Sequence, residues 1–524
     1  MVWSTPHKPD ITANTCTEYI QYFKHCIYYT YITVYQKCDG ISFPYKIQIC
    51  MYILGDEIIH IPPMSIVKTE PISYHVARWS NKPYSQGAWS QLLVGGTPED
   101  REQLGKPISD AFILAGEATV SDFPSQVHGA YISGKRAAKW CLDSINSATS
   151  TRPIFVVVIG AGAAGISAAE TIHKSFIKND KNSRHKIIVI EALDHIGGRS
   201  TTISMGSGIQ VDSGGTWMQQ YNSNPMVQEA LRMGLTLIPT DFMSPLAACA
   251  DRAVSVDEIN DMVLQIETAA QLYHETACED SSIMHIIDTI IYPKYKDDPR
   301  MLKVLELTIA EIMADTGIDL NTLSSKYGLE EPSYVGEGDH YIREGFSSIL
   351  AGISTGIDIR YNTPVKIIDW GSESDSRPIK ITTSTNEIFN ADYCICTVPI
   401  SILQESDTNP NKILTIRPPL PGAHTSALSH MKMAICDKVI LQFDRRWWPT
   451  SVSSNNILKW YGDGKYGNSF TDMLDATDGL GVPIVVFYMI GEDNVKRLLD
   501  GKSDIEIAKL AYEALVNWSD AIIL

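Results

Sequence analysis

Ile154 to Ile172 reads IFVVVIGAGAAGISAAETI, and this stretch decides the fold. Ile154 to Ile159 form a continuous β-branched and aromatic run, the pattern of a strand buried on both faces as in parallel α/β sheets. Gly160, Gly162 and Gly165 follow as GxGxxG, and helix-like text runs to about Phe176. A polar turn, KNDKNSRH, leads to a second buried run at Lys186 to Ile190. Strand, glycine turn, helix and strand make a βαβ unit. The first glycine permits the tight turn, the second lets backbone approach a pyrophosphate, and the third lets helix pack on strand. The helix N-terminus adds unpaired N–H groups and a positive dipole end. A bare GxGxxG is a weak signal, but here it lies between a buried strand and an Ala-rich helix. Glu191 ends the next strand, where a carboxylate accepts both ribose hydroxyls of an adenosine and repels a 2′-phosphate. NADP is thereby disfavoured, leaving NAD or FAD.

Composition narrows the partners. The 524 residues carry 61 Asp and Glu against 43 Lys and Arg, a formal charge of −18. At roughly 150 residues per domain the length predicts two to four domains. With 20% charged and 9% aromatic residues, the chain reads as packed and globular. An acidic surface without a Lys/Arg block repels nucleic acid and anionic membrane and favours cations. The longest apolar stretch, Ile154 to Ile166, is too short and glycine-rich to span a bilayer. MVWSTPHKPD at the start shows no signal pattern, so a soluble chain, cytoplasmic by default, is expected. Ten cysteines without a CxxC pair predict neither a disulfide framework nor a metal site. Cys394 and Cys396, in ADYCICTVP, should share one strand face as packing residues. Residues 1–61 hold Cys16, Cys26, Cys38 and Cys50 among many tyrosines, show neither helical nor strand period, and receive no assignment.

Beyond Pro62, turn-rich loops (NKPYSQGAW, VGGTPED) lead to an apolar strand at Ala111 to Ala115 and a helix from about Ser133 with small residues on one side. Thr240 to Asp339 turns helical, with apolar residues three and four apart. Strand-like text returns at IDIRYNTPVKIIDW, PIKITTS, DYCICTVP, DKVILQF and GVPIVVFYMIG, before a final helix in SDIEIAKLAYEALVNWS.

After Glu191, Gly197, Gly198 and Arg199 offer a second backbone turn and a guanidinium near the same pyrophosphate. VVVIGAGAAGISAAETI, VIEALDHIGGR and VDSGGTWMQQYNSNP together resemble the opening of the flavin-dependent amine oxidases, the family of monoamine and polyamine oxidases. The resemblance implies FAD as cofactor. In that family the flavin site is completed near the C-terminus by a Trp, a Gly-Ser-Tyr-like turn, an AGE(A/H)T strand and a GA-x-x-SG helix. Here these precede the glycine motif, as Trp79, PYSQGAWS, LAGEAT at Leu114 to Thr119, and VHGAYISGKRAA from Val127. The tail, ALVNWSDAIIL, stops about where the family continues toward that Trp. The order reads either as a circular permutation or as two tandem gene copies merged. Ala148 to Pro153 can bridge roughly 20 Å when extended.

The resemblance assigns roles. Cofactor contacts fall to Gly160, Gly162, Ala163, Ala164, Gly165, Glu191, Gly198, Arg199, Gly214, Gly215, Thr216, Trp79, Gly116 and Val127. Glu117 meets the ribityl chain, and the backbone of Val365 meets adenine. Lys438 holds a water against the flavin N5 and is the catalytic candidate; its place in an apolar run is unusual for a solvated lysine. Trp89, ten residues after Trp79, forms one aromatic wall of a substrate cage, which attracts amines and excludes water. Gln126 stands where the opposite aromatic wall is expected. Trp217 and Gln219 match a Trp and an acidic or His residue that steer polyamines, with Gln219 lacking the charge. Ala88 replaces the cysteine of members with a thioether-linked flavin, so FAD should be non-covalent.

The expected fold is α/β: a Rossmann-like FAD-binding domain of residues 80–236 and 337–426, interleaved with a mixed-sheet and helical substrate domain of residues 62–79, 237–336 and 427–524. The expected activity is FAD-dependent oxidation of a small amine, polyamine-like first, by O₂ to imine, then aldehyde and amine, with hydrogen peroxide. A flavin-binding protein with little or no turnover and an L-amino-acid oxidase-like flavoenzyme are the alternatives.

Overall fold

The structure, a computed structural model, describes residues 68–147, 152–179, 185–206, 208–240, 242, 245–277, 279–329, 338–371, 377–405, 409, 411–449, 457–462 and 470–523, with the backbone of four strands between residues 16 and 60. Residues 148–151 of the linker lie outside this set. The decisive stretch folds as Phe155–Ile159, Ala163–Asn179 and Lys186–Ile190. The two strands pair in parallel, Phe155 with Lys186 through Ile159 with Ile190. Their sheet runs in the order Asp358–Arg360, Lys186–Ile190, Phe155–Ile159, Tyr393–Cys396, Phe112–Leu114 and Pro107–Ser109. The first five strands are parallel and the last is antiparallel. One sheet therefore joins strands from before and after the glycine motif.

Alternation within this sheet feeds two cores. Val156, Val158 and Ile395 face one, shared with the helices; Val157, Ile159, Cys394 and Cys396 face the other. The two cysteines share a face, as the strand period requires. Burial pushes the Cys394 thiol well up and the Cys396 thiol to about 12.

Helix Val127–Ser147 begins two turns earlier than its sequence signal. Gly129 weakens that signal because glycine disfavours helix, yet a Cβ there would collide with the Phe123 carbonyl. The helix packs on Ala163–Asn179 at Gly134, where a Cβ would collide with the Ala164 carbonyl and the Ser167 hydroxyl. The early and late stretches thus meet backbone to backbone.

A second six-stranded sheet has the order Leu246–Cys249, Ile457–Tyr461, Asp472–Asp475, Ile484–Ile490, Cys436–Gln442 and Ser73–Ala77. The last helix, Asp504–Ile523, sits beside its Ser73–Ala77 edge: Lys68 Nζ lies 2.5 Å from Asp520 Oδ1 and Arg78 Nη2 2.6 Å from Asp504 Oδ1. The helical insert holds Val256–Thr276, capped by the Ser255–Glu258 box, and Pro299–Thr316, capped by Asp298 and ended by Gly317 at φ 69°. No helix among the described residues is long and apolar enough to cross a membrane.

Cys16–Tyr22, His25–Cys38, Ile41–Leu54 and Glu57–His60 form an antiparallel meander where the sequence showed no strand period. Tyrosine, isoleucine and threonine occupy both alternating positions there, so β-propensity is high while the two-residue period is erased.

Gly134→Ala is expected to lower the unfolding free energy by about 2 kcal/mol through overpacking between the two helices. Urea unfolding checks this as a lower midpoint at unchanged slope.

Candidate functional site

A cavity of about 1720 Å³ is walled by both sheets and the helical insert. That exceeds the roughly 300–1,000 Å³ of ordinary small-molecule sites, leaving room for an elongated dinucleotide beside a second ligand.

The glycine turn forms one end. Gly160 has φ +102°, a conformation that favours glycine. A Cβ on Gly165 would collide with the Gly160 carbonyl, so this glycine sets the helix–strand approach beneath the cavity floor. A Cβ on Gly162 would meet only the Gly197 carbonyl, at 3.8 Å, and Gly162 lines the cavity. The second turn abuts it: Gly197 N–H donates to Ala161 O at 3.0 Å, and Gly198 has φ +55°. Glu191 is buried there, its Oε2 accepting from Ala161 N–H at 2.6 Å and its Oε1 from Leu193 N–H at 2.9 Å. Burial pushes its carboxyl up, against those two backbone bonds. Each oxygen keeps a further lone pair for a ligand hydroxyl.

The early and late stretches lock together along the cavity. Arg199 Nη1 donates to Glu117 Oε1 at 2.8 Å and to Ala88 O at 3.0 Å. Glu117 also accepts from Ser90 Oγ at 2.6 Å and Ser125 N–H at 3.1 Å. Burial raises the Glu117 carboxyl, but Arg199, Arg101 and the Ser90 hydroxyl outweigh it and hold the group below its ordinary value. Arg101, absent from the sequence reading, is itself buried and donates to Ser90 Oγ at 2.5 Å and Ser90 O at 3.0 Å. Burial brings its guanidinium down to about 10. Trp79 Nε1 donates to Ser213 O at 2.6 Å. A Cβ on Gly214 would collide with the Arg199 carbonyl, and one on Gly215 would reach Val127 Cγ2 at 3.1 Å. The Gly214–Gly215 turn therefore threads between the two stretches.

Lys438 stands in Cys436–Gln442, a strand buried throughout. Its Nζ donates to Gly214 O and, at 2.6 Å, to Thr216 Oγ1, and lies 4.9 Å from the Tyr488 ring centre. Burial lowers the ammonium to about 8. Tyr488 stacks on Trp217 at 5.4 Å and 25°, and Trp217 Nε1 donates to Thr240 Oγ1 at 3.3 Å. This stacked pair adds to Trp89 an aromatic wall that the sequence reading lacked. The signal for Tyr488 lay in its strand, GVPIVVFYMIG, where a hydroxyl-bearing ring interrupts an apolar run. Gln126 is buried with Oε1 lacking a hydrogen-bond partner.

Ala163, Ala164, Gly116, Val127, Thr216, Val365, Trp89, Gln126, Trp217 and Gln219 all line the same cavity, as do Trp79, Glu117, Gly160, Gly162, Glu191, Gly198, Arg199, Gly214, Gly215 and Lys438. Of the site residues expected from the sequence, Gly165 alone does not line it and packs below.

Residues 57–142 and 163–521 match the family described as flavin containing amine oxidoreductase. A probable polyamine oxidase 4 of Arabidopsis thaliana is 25% identical over 367 residues, 67% of this chain and 68% of its own length. A corticosteroid-binding protein of Candida albicans is 25% identical over 393 residues, 70% of this chain and 74% of its own. A lysine-specific histone demethylase 1 homolog 2 of Oryza sativa subsp. japonica is 23% identical over 312 residues; the match covers 58% of this chain and 38% of that relative.

Lys438 is expected to tilt stability with pH. With its ammonium at about 8 rather than 10.5, the unfolded chain holds a proton between those values that the folded chain has released. Its contribution to stability therefore rises with pH across that window, by at most about 1.4 kcal/mol per unit. Urea unfolding of wild type and Lys438→Met from pH 8 to 10.5 should show the stability of wild type relative to the variant rising across this window, since the other titrating groups tilt both curves alike; parallel curves would refute it.

Proposed function

The chain belongs to the family of flavin-containing amine oxidoreductases, and on that premise we propose that it is an FAD-dependent oxidase of polyamine-like amines. FAD, when bound, takes a hydride equivalent from the carbon beside a neutral amine and passes the electrons to O₂, giving imine and hydrogen peroxide. The observation that carries this reading is a buried lysine, Lys438, in the wall of the same cavity as the glycine turns, Glu191 and Glu117.

The residues present fit the cofactor. Gly162 leaves backbone open toward the cavity, where a side chain would fill the cradle, and the first N–H groups of Ala163–Asn179 lack intrahelical acceptors. In this reading the Rossmann-like βαβ unit holds the diphosphate at that turn, Glu191 accepts the ribose hydroxyls, Val365 supplies backbone to adenine, and Glu117 receives the ribityl chain. Ala88 offers no thiol, so the attachment is non-covalent. Lys438 would hold a water against the flavin N5, next to the reacting carbon. Trp89, Trp217 and Tyr488 shield that carbon from bulk water, and the free Gln126 Oε1 orients a polar group of the substrate. Glu267, Asp315 and Asp472 also line the cavity, which favours an amine bearing more than one positive charge.

A flavin-binding protein with little turnover is the second reading, favoured by Gln126 and Gln219 where an aromatic and a charged residue were expected. An amino-acid oxidase needs an arginine for a carboxylate. Among the described residues the cavity-lining arginines are Arg101 and Arg199, and they are engaged by Ser90, Ala88 and Glu117. The chain order is compatible with a circular permutation or with two merged tandem copies; on either reading the stretches around Lys68 and Asp520 lie side by side, as their ion pair has them.

Anaerobic addition of spermine to the FAD-loaded full chain should bleach the flavin absorption, and air should then release peroxide. Protein that keeps FAD but is bleached by no polyamine, acetylated polyamine or aromatic monoamine supports the second reading. Lys438→Met should retain FAD while oxidase turnover falls about 10²-fold.

A further inference from the structure

The sheet carrying Lys438 sets a row of polar side chains across four strands. Lys438 lies opposite Tyr488. The Met473–Phe487 register, continued by one residue, puts Asp472 opposite Tyr488 on its other side, and Asp472 pairs with Lys459 on the next strand. Directly opposed residues point to the same face, and all four line the cavity. At about 4.8 Å between strands, the backbone of Asp472 sits roughly 10 Å from that of Lys438, and side chains on one face keep about that spacing.

The charges in this row do not cancel locally. Lys459 Nζ is bonded to Glu311 Oε1 and stands 3.5 Å from Asp472 Oδ1, so two carboxylates share one ammonium and Glu311 takes the closer contact. Glu311 is buried, and its Oε2 has no hydrogen-bond partner. Burial raises the Asp472 carboxyl to about 6, with Lys459 opposing and Glu311 reinforcing the rise. Lys459 is itself held above its ordinary value: burial lowers it, but Asp472, Glu311 and Asp315 prevail. A further cation at Asp472 would balance a carboxylate that is costly to bury half-paired. Between the two ends of the row stands Tyr488, which also lines the cavity.

We propose that Asp472 anchors a second, protonated nitrogen of the substrate, roughly 10 Å from the carbon oxidised beside Lys438. This rests on the amine-oxidase reading and fixes its substrate class. Three chain bonds span about 3.5 Å when extended, so the gap corresponds to roughly eight or nine single bonds. Long diamines and polyamines charged at both ends fit it; monoamines and short diamines leave Asp472 without a cation.

The test compares kcat/KM of the FAD-loaded full chain for α,ω-diaminoalkanes of increasing length and for 1-aminooctane, with anaerobic calorimetry for Kd. The expected wild-type optimum lies near about eight carbons, at least tenfold above 1-aminooctane, the difference lying in KM and Kd rather than kcat. Asp472→Asn should bring the diamine-to-monoamine ratio toward one, and Asp472→Glu should restore part of it. A flat length series in wild type overturns the anchor even if the variants fail to fold, as does a diamine preference that survives in Asp472→Asn. Bleaching by both amine types with equal efficiency sinks the anchor alone. Bleaching by neither sinks the amine-oxidase reading and the anchor with it.

Discussion

The Glu117–Arg199 ion pair ties together stretches of chain on either side of the glycine motif. Glu117 is buried and Arg199 half-buried, and a carboxylate taken out of water is stabilised only when hydrogen bonds complete it. Glu117 meets that condition through Ser90 and Ser125, with Arg101 behind Ser90, and Arg199 through Ala88. The cavity depends on it. The Gly214–Gly215 turn runs between Arg199, Trp79 and Val127, and Lys438 hangs from that turn by its bonds to Gly214 and Thr216. Loosening the pair would shift the turn and, through it, the lysine.

Burial lowers two lysines of one sheet alike, and their neighbours decide the outcome in opposite senses. Lys438 has hydroxyl and carbonyl partners but no adjacent carboxylate bonded to it, so desolvation wins and the ammonium weakens. Lys459, two strands beyond Tyr488 on the same sheet, is half-buried but lies among carboxylates, and its proton is held more tightly. One lysine is thereby suited to losing its proton near neutrality and the other to remaining a fixed charge.

Much of the architecture was legible because it is written in short-range patterns. The buried strand at Phe155–Ile159, the glycine spacing and Glu191 needed only a window of about forty residues, and the shared face of Cys394 and Cys396 only the strand period. The residues placed around the cavity from family resemblance line it together apart from Gly165. Three kinds of information were not legible. Tyr488 and Asp472 acquire their neighbours from cross-strand register, which links positions far apart in sequence. Arg101 looks like any helical surface arginine until the fold buries it under Ser90. In the residue pattern, though not in the family resemblance, the helix start at Val127 was masked by Gly129, whose low propensity is overridden by the need for close approach to Phe123.

The parallel sheet has a consequence for biogenesis. Phe112–Leu114 is flanked on one side by Tyr393–Cys396, so at ~5–20 residues per second the ribosome needs roughly 15 to 55 s to deliver that neighbour after the first strand emerges. Through that interval an apolar segment waits with an open edge, joined only by the short strand before it. Newly made chains should therefore lean on holdase chaperones during translation, and slowed elongation should lengthen their exposure to aggregation.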